Sequence, residues 1–284
     1  MRGWKLHAAL FVLTVISTLA AGAMYMQGYD LLLDFPAHIL AGLIKGVPFS
    51  LPLLAILGSH EMAHYINSKR HGVDATLPFF IPFPNIFGTL GAVIKIKSPI
   101  LNRRALIDIG ASGPLVGFCI ALVACIVGLK LSTAIPAVEL KPGEFALGPS
   151  LLFTALIDIF VGNVPAGYMV DLHPVAVAGW VGLFVTSINL MPAGQLDGGH
   201  ISYAFMGRRH RLISRVFVGL LALMGLFVFV GWLVWAALLL VIGTKHPPVF
   251  DSYSPLDWKR KLMGFASLVV FIITFPPVPV HIQM

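Results

Sequence analysis

His60-Glu61-Met62-Ala63-His64 sets two imidazoles and a carboxylate at a spacing suited to metal chemistry. On a helix the histidines stand at i and i+4, on one face, where they can grip one zinc ion. Glu61 between them is then placed as general base toward a water that the ion activates. The setting sharpens this reading, because Val47 to Ile66 is otherwise almost free of charge. Ionisable groups at such depth are costly, and they turn toward a protein interior or a water cavity where they have a task. The competing explanation is a chance HExxH on a wet helix face, and the apolar neighbours speak against it.

A catalytic zinc takes three protein ligands and leaves a position for water. The third ligand must come from another polar intrusion at similar depth. The best candidate is the segment Asn189-Leu190-Met191-Pro192-Ala193-Gly194-Gln195-Leu196-Asp197-Gly198-Gly199-His200, where Pro192 and the glycines interrupt a helix and Asp197 is the only acid. Depth agrees: His60 stands nine residues before Lys69 and Asp197 eleven before Arg208. For His60 that is ~13 Å along a helix. His200 is the weaker alternative, as a substitute ligand or a partner of one. His71 and His210 flank basic residues and read as solvated, while His38, His246 and His281 lack a companion at ligand spacing. Asp108 precedes Gly110-Ala111-Ser112-Gly113-Pro114, whose small residues mark close helix packing.

The elements that must hold these residues are membrane helices. Only 11% of the 284 residues are charged, less than half of the ~25% usual in a globular domain. Apolar runs at about 6–26, 48–68, 105–130, 174–193, 212–227, 229–244 and 262–280 approach or reach the length of a bilayer span. The first is long for a signal-peptide core and reads as a retained span. The expected fold is an all-α polytopic membrane protein of six to seven transmembrane helices, with a re-entrant β-hairpin near the active site. One membrane-embedded domain covers 1–284, with the HExxH helix at about 48–68, the hairpin at about 77–98 and the Asp-Gly segment at about 174–200.

Orientation follows from Lys and Arg. With the N-terminus in the cytoplasm and the short run 150–162 not spanning, 16 of the 19 basic residues fall on the cytoplasmic side, and only Lys45, Lys130 and Lys141 fall opposite. Were 150–162 to span, the basic run 208–215 would change sides and the bias would collapse. This distribution accounts for the net charge of +7 without nucleic acid. Cys119 and Cys125 share one span, six residues apart and off a common face, so they suit neither a disulfide nor a zinc site.

Pro78, Pro82 and Pro84 preclude a regular helix through 77–84. Gly88 and Gly91 then suit a tight turn, and Val93 to Lys97 alternates as a strand does. A strand this near a membrane needs its backbone satisfied by protein or water. It is either a plain cytoplasmic hairpin or one that dips toward the metal.

These features together resemble the site-2 protease family of intramembrane zinc metalloproteases. The resemblance rests on HEMAH in the second span, the hairpin 87–92, the Gly-Ala-Ser-Gly-Pro turn and NLMPAGQLDGG at 189–199. It is nearest to the PDZ-free members, which include the chloroplast EGY-type proteins, and His-Pro-Pro followed by Asp at 246–251 strengthens that placement. It implies that His60, His64 and Asp197 bind one Zn²⁺, that Glu61 activates water, and that Asn189 holds the substrate carbonyl or the developing oxyanion. It implies transmembrane protein substrates in a lipid bilayer. Only 131–149 precede the short apolar run, which leaves no room there for a PDZ-sized module.

A transmembrane substrate helix must unwind before cleavage. Gly88, Gly91, Val93 and Ile94 are expected to meet it, with the hairpin edge replacing lost helical hydrogen bonds. Two other classes compete. A di-iron membrane oxygenase needs more histidines at HxxxH and HxxHH spacing than are present. A catalytically silent client-binding protein would be expected to lack Glu61.

Overall fold

A computed structural model describes residues 3–27, 39–137, 145–251 and 254–282. His38 and Lys141, named above, lie outside them. The chain forms α1 (Gly3–Gln27), α2 (Ile39–Lys45) and α3 (Val47–Arg70), then strands β1 (Phe79–Pro82) and β2 (Thr89–Val93). α4 (Arg103–Lys130), β3 (Thr133–Pro136), β4 (Phe145–Leu147), α5 (Leu151–Phe160) and β5 (Tyr168–Asp171) follow. α6 (Pro174–Asn189), α7 (Asp197–Met206), α8 (His210–Phe227), α9 (Gly231–Ile242), α10 (Trp258–Thr274) and β6 (Val280–Ile282) complete it. The protein is therefore mostly helical, with small two-stranded sheets, as the composition led one to expect.

The centre is the packing of α3, α4 and α6. Leu53, Ile56, Leu57, Ala121, Cys125, Trp180 and Leu183 form its buried core. Glycines let these helices approach: a Cβ on Gly179 would stand 2.6 Å from the Cys125 nitrogen. Local signals fix the ends. Pro48 opens α3, and Gly72 at φ 66° follows its last turn. Asn102 caps α4 by accepting from the Ala105 N–H at 2.9 Å.

The basic helix ends gather at one end of the bundle. Arg103 donates to the Ala204 carbonyl, Arg104 to that of Pro255, and Arg260 to Asp108. His71 pairs with the same Asp108 at 2.8 Å, so it is not the free solvated group its basic neighbours suggested. The opposite end carries the small sheets: β3 pairs antiparallel with β5, and β4 with β6. α5 begins there, since the Gly148 N–H donates to the Pro279 carbonyl, and the chain leaves it through β5, beside the strand that follows α4. Both flanks of α5 thus lie at the same end.

Among the described residues, three helical stretches are long and apolar enough to cross a membrane: Trp4–Tyr25, Arg103–Lys130 and Asp197–Phe227. The third is not straight. His210 Nδ1 meets Ser202 Oγ at 2.6 Å, and Ser214 Oγ accepts from the Gly194 N–H at 2.9 Å. Residues eight apart on one helix are separated by ~12 Å, so the chain reverses between α7 and α8. Gly207 makes the turn, at φ 56° and ψ −129°. His210 is consequently buried at 1% exposure, contrary to the solvated position its arginine neighbours indicated.

The hairpin lies along α1. Phe79 stacks on His7, Phe80 meets Phe11, Ser17 donates to the Gly88 carbonyl, and Tyr25 donates to that of Ile86. From His7 to Tyr25 an α-helix rises ~27 Å. The regular strand ends at Val93, earlier than the alternation to Lys97 implied. Beyond it the Lys95 N–H donates to Thr76 Oγ1 and the Lys97 N–H to the Asp74 carbonyl. By the two-residue period of extended chain, Ile94 and Ile96 point their N–H groups the other way.

Candidate metal centre

α3 presents His60 and His64 to the bundle interior, and the break after α6 returns Asp197 to them. His60 Nε2 and His64 Nε2 are 3.0 Å apart, and each is 3.2 Å from Asp197 Oδ2. Donors at ~2.0–2.2 Å around a tetrahedral zinc lie a little over 3 Å from one another. His64 Nδ1 is 2.7 Å from the Ile109 carbonyl, which only accepts, so the neutral ring is protonated there and Nε2 is a free lone pair. Two imidazole nitrogens and a carboxylate oxygen thus face one point with too few protons among them. The donor set, its spacing and the fixed tautomer fit zinc.

Sequence explains the convergence. Gly198 and Gly199 let α7 fold back on the turn after α6, since a Cβ on Gly199 would stand 2.5 Å from the Gly194 carbonyl oxygen. This brings Asn189 and Asp197 to the same cavity, with Asn189 Nδ2 at 3.4 Å from His60 Nε2. Asp197 lies in the first turn of α7, where the helix dipole favours its charge. Glu61 is 7% exposed, with Oε1 at 3.9 Å from His60 Nε2, outside the ligand cluster.

The cavity measures about 210 Å³ and is bordered by the three cluster residues, Glu61, Asn189 and His200. Its other wall is the hairpin, through Ala92, Val93, Ile94 and Ile96, and the Ile94 backbone faces the Glu61 carboxylate. Val93 and Ile94 therefore stand where substrate contact was expected. Gly88 packs against the Ser17 backbone of α1 instead, and Gly91 is not part of the lining. At φ 74° and 101° both glycines shape the hairpin.

Two features escaped the sequence reading. The Gly-Ala-Ser-Gly-Pro packing stripe is where the histidines press on α4. A Cβ on Gly113 would overlap the His64 ring, and one on Gly117 would stand 3.1 Å from His60 Nδ1. The signal was present as Gly110, Gly113 and Gly117 on one helix face opposite an i, i+4 histidine pair. His246 also has a companion: its Nε2 is 2.6 Å from His200 Nδ1. Their separation of 46 residues gives no local spacing to read.

Comparison with known proteins agrees with this geometry. The model of Peptidase family M50 matches residues 48–232, and the chain belongs to that family. It is 32% identical over 280 residues, 97% of this chain and 50% of the relative, to the probable zinc metalloprotease EGY2, chloroplastic, of Oryza sativa subsp. indica. The Arabidopsis thaliana proteins of that description, EGY2 and EGY1, are 28% and 30% identical over 82% and 81% of the chain, and 42% and 43% of the relatives. The chain spans about half the length of the curated relatives it matches. No solved structure matches it.

Proposed function

We propose that this chain is an intramembrane zinc metalloprotease that hydrolyses peptide bonds in or near transmembrane segments of membrane proteins. The observation that carries the proposal is the meeting of His60, His64 and Asp197 beside a buried Glu61, in a cavity walled by a strand edge. When bound, zinc polarises the scissile carbonyl and lowers the pKa of a water in the site toward ~7. Glu61 takes that water's proton on its carboxylate and passes it to the leaving amine. Asn189 donates from Nδ2 to the developing oxyanion. Ile109 holds the His64 ring in the ligating tautomer, and the surrounding apolar helices keep bulk water out. Purified chain should cleave a transmembrane peptide, stop on chelation and recover with zinc. A zinc-loaded sample that cleaves no membrane peptide would remove the proposal.

The hairpin is read as re-entrant. Its course along ~27 Å of α1 compares with the ~30 Å of a bilayer core, which supports a position within the membrane. The Ile94 N–H belongs to the side facing the cavity, while Val93 shares the direction of Lys95 toward the neighbouring strand. An unwound substrate would pair with Ile94. Ile94→Pro removes that donor and should lower cleavage at least tenfold more than Ile94→Ala, with zinc unchanged in both. Equal activities would make the hairpin a connector only.

We read the bundle as six to seven spans with the basic end in the cytoplasm. The clustering of Arg103, Arg104 and Arg260 at one end supports this, as does the return of α5 to the end where it began. In a background lacking Cys119 and Cys125, Arg209→Cys should react from the cytoplasmic side, and Pro149→Cys and Ala166→Cys from the other. Reaction of Pro149→Cys and Ala166→Cys from opposite sides would make α5 a span.

A further inference from the structure

His200 borders the metal cavity yet stands outside the ligand cluster. Behind it, on the segment after α9, is His246. His200 Nδ1 is 2.6 Å from His246 Nε2, and His246 Nδ1 is 2.6 Å from the Pro247 carbonyl oxygen. The carbonyl sets the proton order. It only accepts, so neutral His246 is protonated on Nδ1 and offers a lone pair at Nε2. His200 must then donate from Nδ1, which leaves its own Nε2 unprotonated. Among the described residues no hydrogen bond reaches that nitrogen, and the His200 side chain belongs to the cavity lining. The pair is held in place: Tyr203 stacks on His246 with ring centroids 4.4 Å apart, and Gly110 of α4 leaves room for the His200 side chain.

We propose that His200 is a substrate-binding residue whose fixed Nε2 lone pair accepts a main-chain N–H of the unwound substrate. This rests on the protease reading above and deepens it. A substrate strand paired with the hairpin turns alternate N–H groups away from it. In a cavity set among apolar helices those groups need acceptors in the opposite wall. The cluster residues are committed to one another and Glu61 to the reacting water. Gln195 is exposed, with nothing to fix its amide. His200 lines the cavity and carries an acceptor whose proton order is imposed by His246, whereas Asn189 is turned by its Nδ2 toward His60 and the reacting carbonyl.

The test uses the zinc-loaded full chain in detergent with a fluorogenic transmembrane peptide that it cleaves. It is compared with esters of that peptide in which single N–H groups flanking the scissile bond become oxygen. One ester should raise KM about tenfold with the unaltered protein, and His200→Ala should raise the KM of the amide peptide by a similar factor. In His200→Ala that same ester should bring no further loss, with kcat within about threefold and zinc at one per chain. His200→Gln, which keeps an acceptor, should recover part of the KM. His246→Ala, which frees the proton order, should raise KM less than His200→Ala. Additive effects of ester and His200→Ala, or an unchanged KM in His200→Ala, overturn the proposal. So does a ¹⁵N spectrum of the zinc-loaded protein that places the His200 proton on Nε2, whatever the activity. If the zinc-loaded chain cleaves no membrane peptide, it is the protease reading that fails, and this proposal falls with it.

Discussion

Glu61→Gln should leave one zinc per chain and lower turnover of a transmembrane peptide by ~10²–10⁴-fold, the usual contribution of a positioned general base. The amide nearly matches the carboxylate in shape, so the packing of a 7% exposed side chain is kept. Glu61 and Ile94 line the same cavity, and a side chain of the same shape leaves the hairpin wall where it is. Glu61 stands outside the cluster of His60, His64 and Asp197, so the metal should remain. What is lost is the ability to take a proton at working pH. Metal analysis and single-turnover cleavage on one preparation decide it. Turnover within tenfold of the unaltered protein would take the base role from Glu61.

The second large effect is predicted from a residue that does no chemistry. Gly113→Ala should empty the metal site and abolish cleavage while the helices persist. A Cβ at this position would overlap the His64 ring, and that ring is already tied at Nδ1 to the Ile109 carbonyl. It can move only by giving up that bond, its place beside Asp197, or both. Intrinsic helix propensity works against any loss of fold, because alanine in a helix interior is favoured over glycine by ~1 kcal/mol. Gly219→Ala on α8 is the control, since nothing lies within 4 Å of its added carbon. It should keep full zinc and activity. Normal zinc content in Gly113→Ala would show that α4 can yield at this point, and that the glycine is not what seats His64.

The sequence made the chemistry legible before the architecture. HEMAH carries its own geometry, because i and i+4 share a helix face whatever surrounds the helix. Asp197 could be found because it is the only acid in a segment whose proline and glycines already announced a broken helix. The charge bias set 150–162 apart from the other apolar runs as an expectation, and both flanks of α5 lie at one end of the bundle. Other features depend on pairings distant in sequence. The contact of Gly113 with His64 joins two helices across 49 positions, and packing stripes look alike whether they face a leucine or a ligand. His210 is flanked by arginines on a turn, so only the chain reversal at Gly207 reveals that it is buried. The hairpin's course along α1 rests on contacts such as Ser17 to Gly88, 71 residues apart. Its strand also stops at Val93 because Lys95 and Lys97 find partners in 74–76, a pairing that alternation alone cannot date to a residue.

The most direct measurement of the central claim is X-ray absorption at the zinc edge on the purified chain. Bound zinc should show two histidine nitrogens at ~2.0–2.1 Å with the remaining ligands oxygen at ~2.0–2.2 Å, and no sulfur. Asp197→Ala should bind much less zinc, and what remains should keep both histidines and lose one protein oxygen. His64→Ala should lose one nitrogen. Full zinc occupancy with an unchanged spectrum in Asp197→Ala, or a third histidine in the unaltered protein, would contradict the site described here.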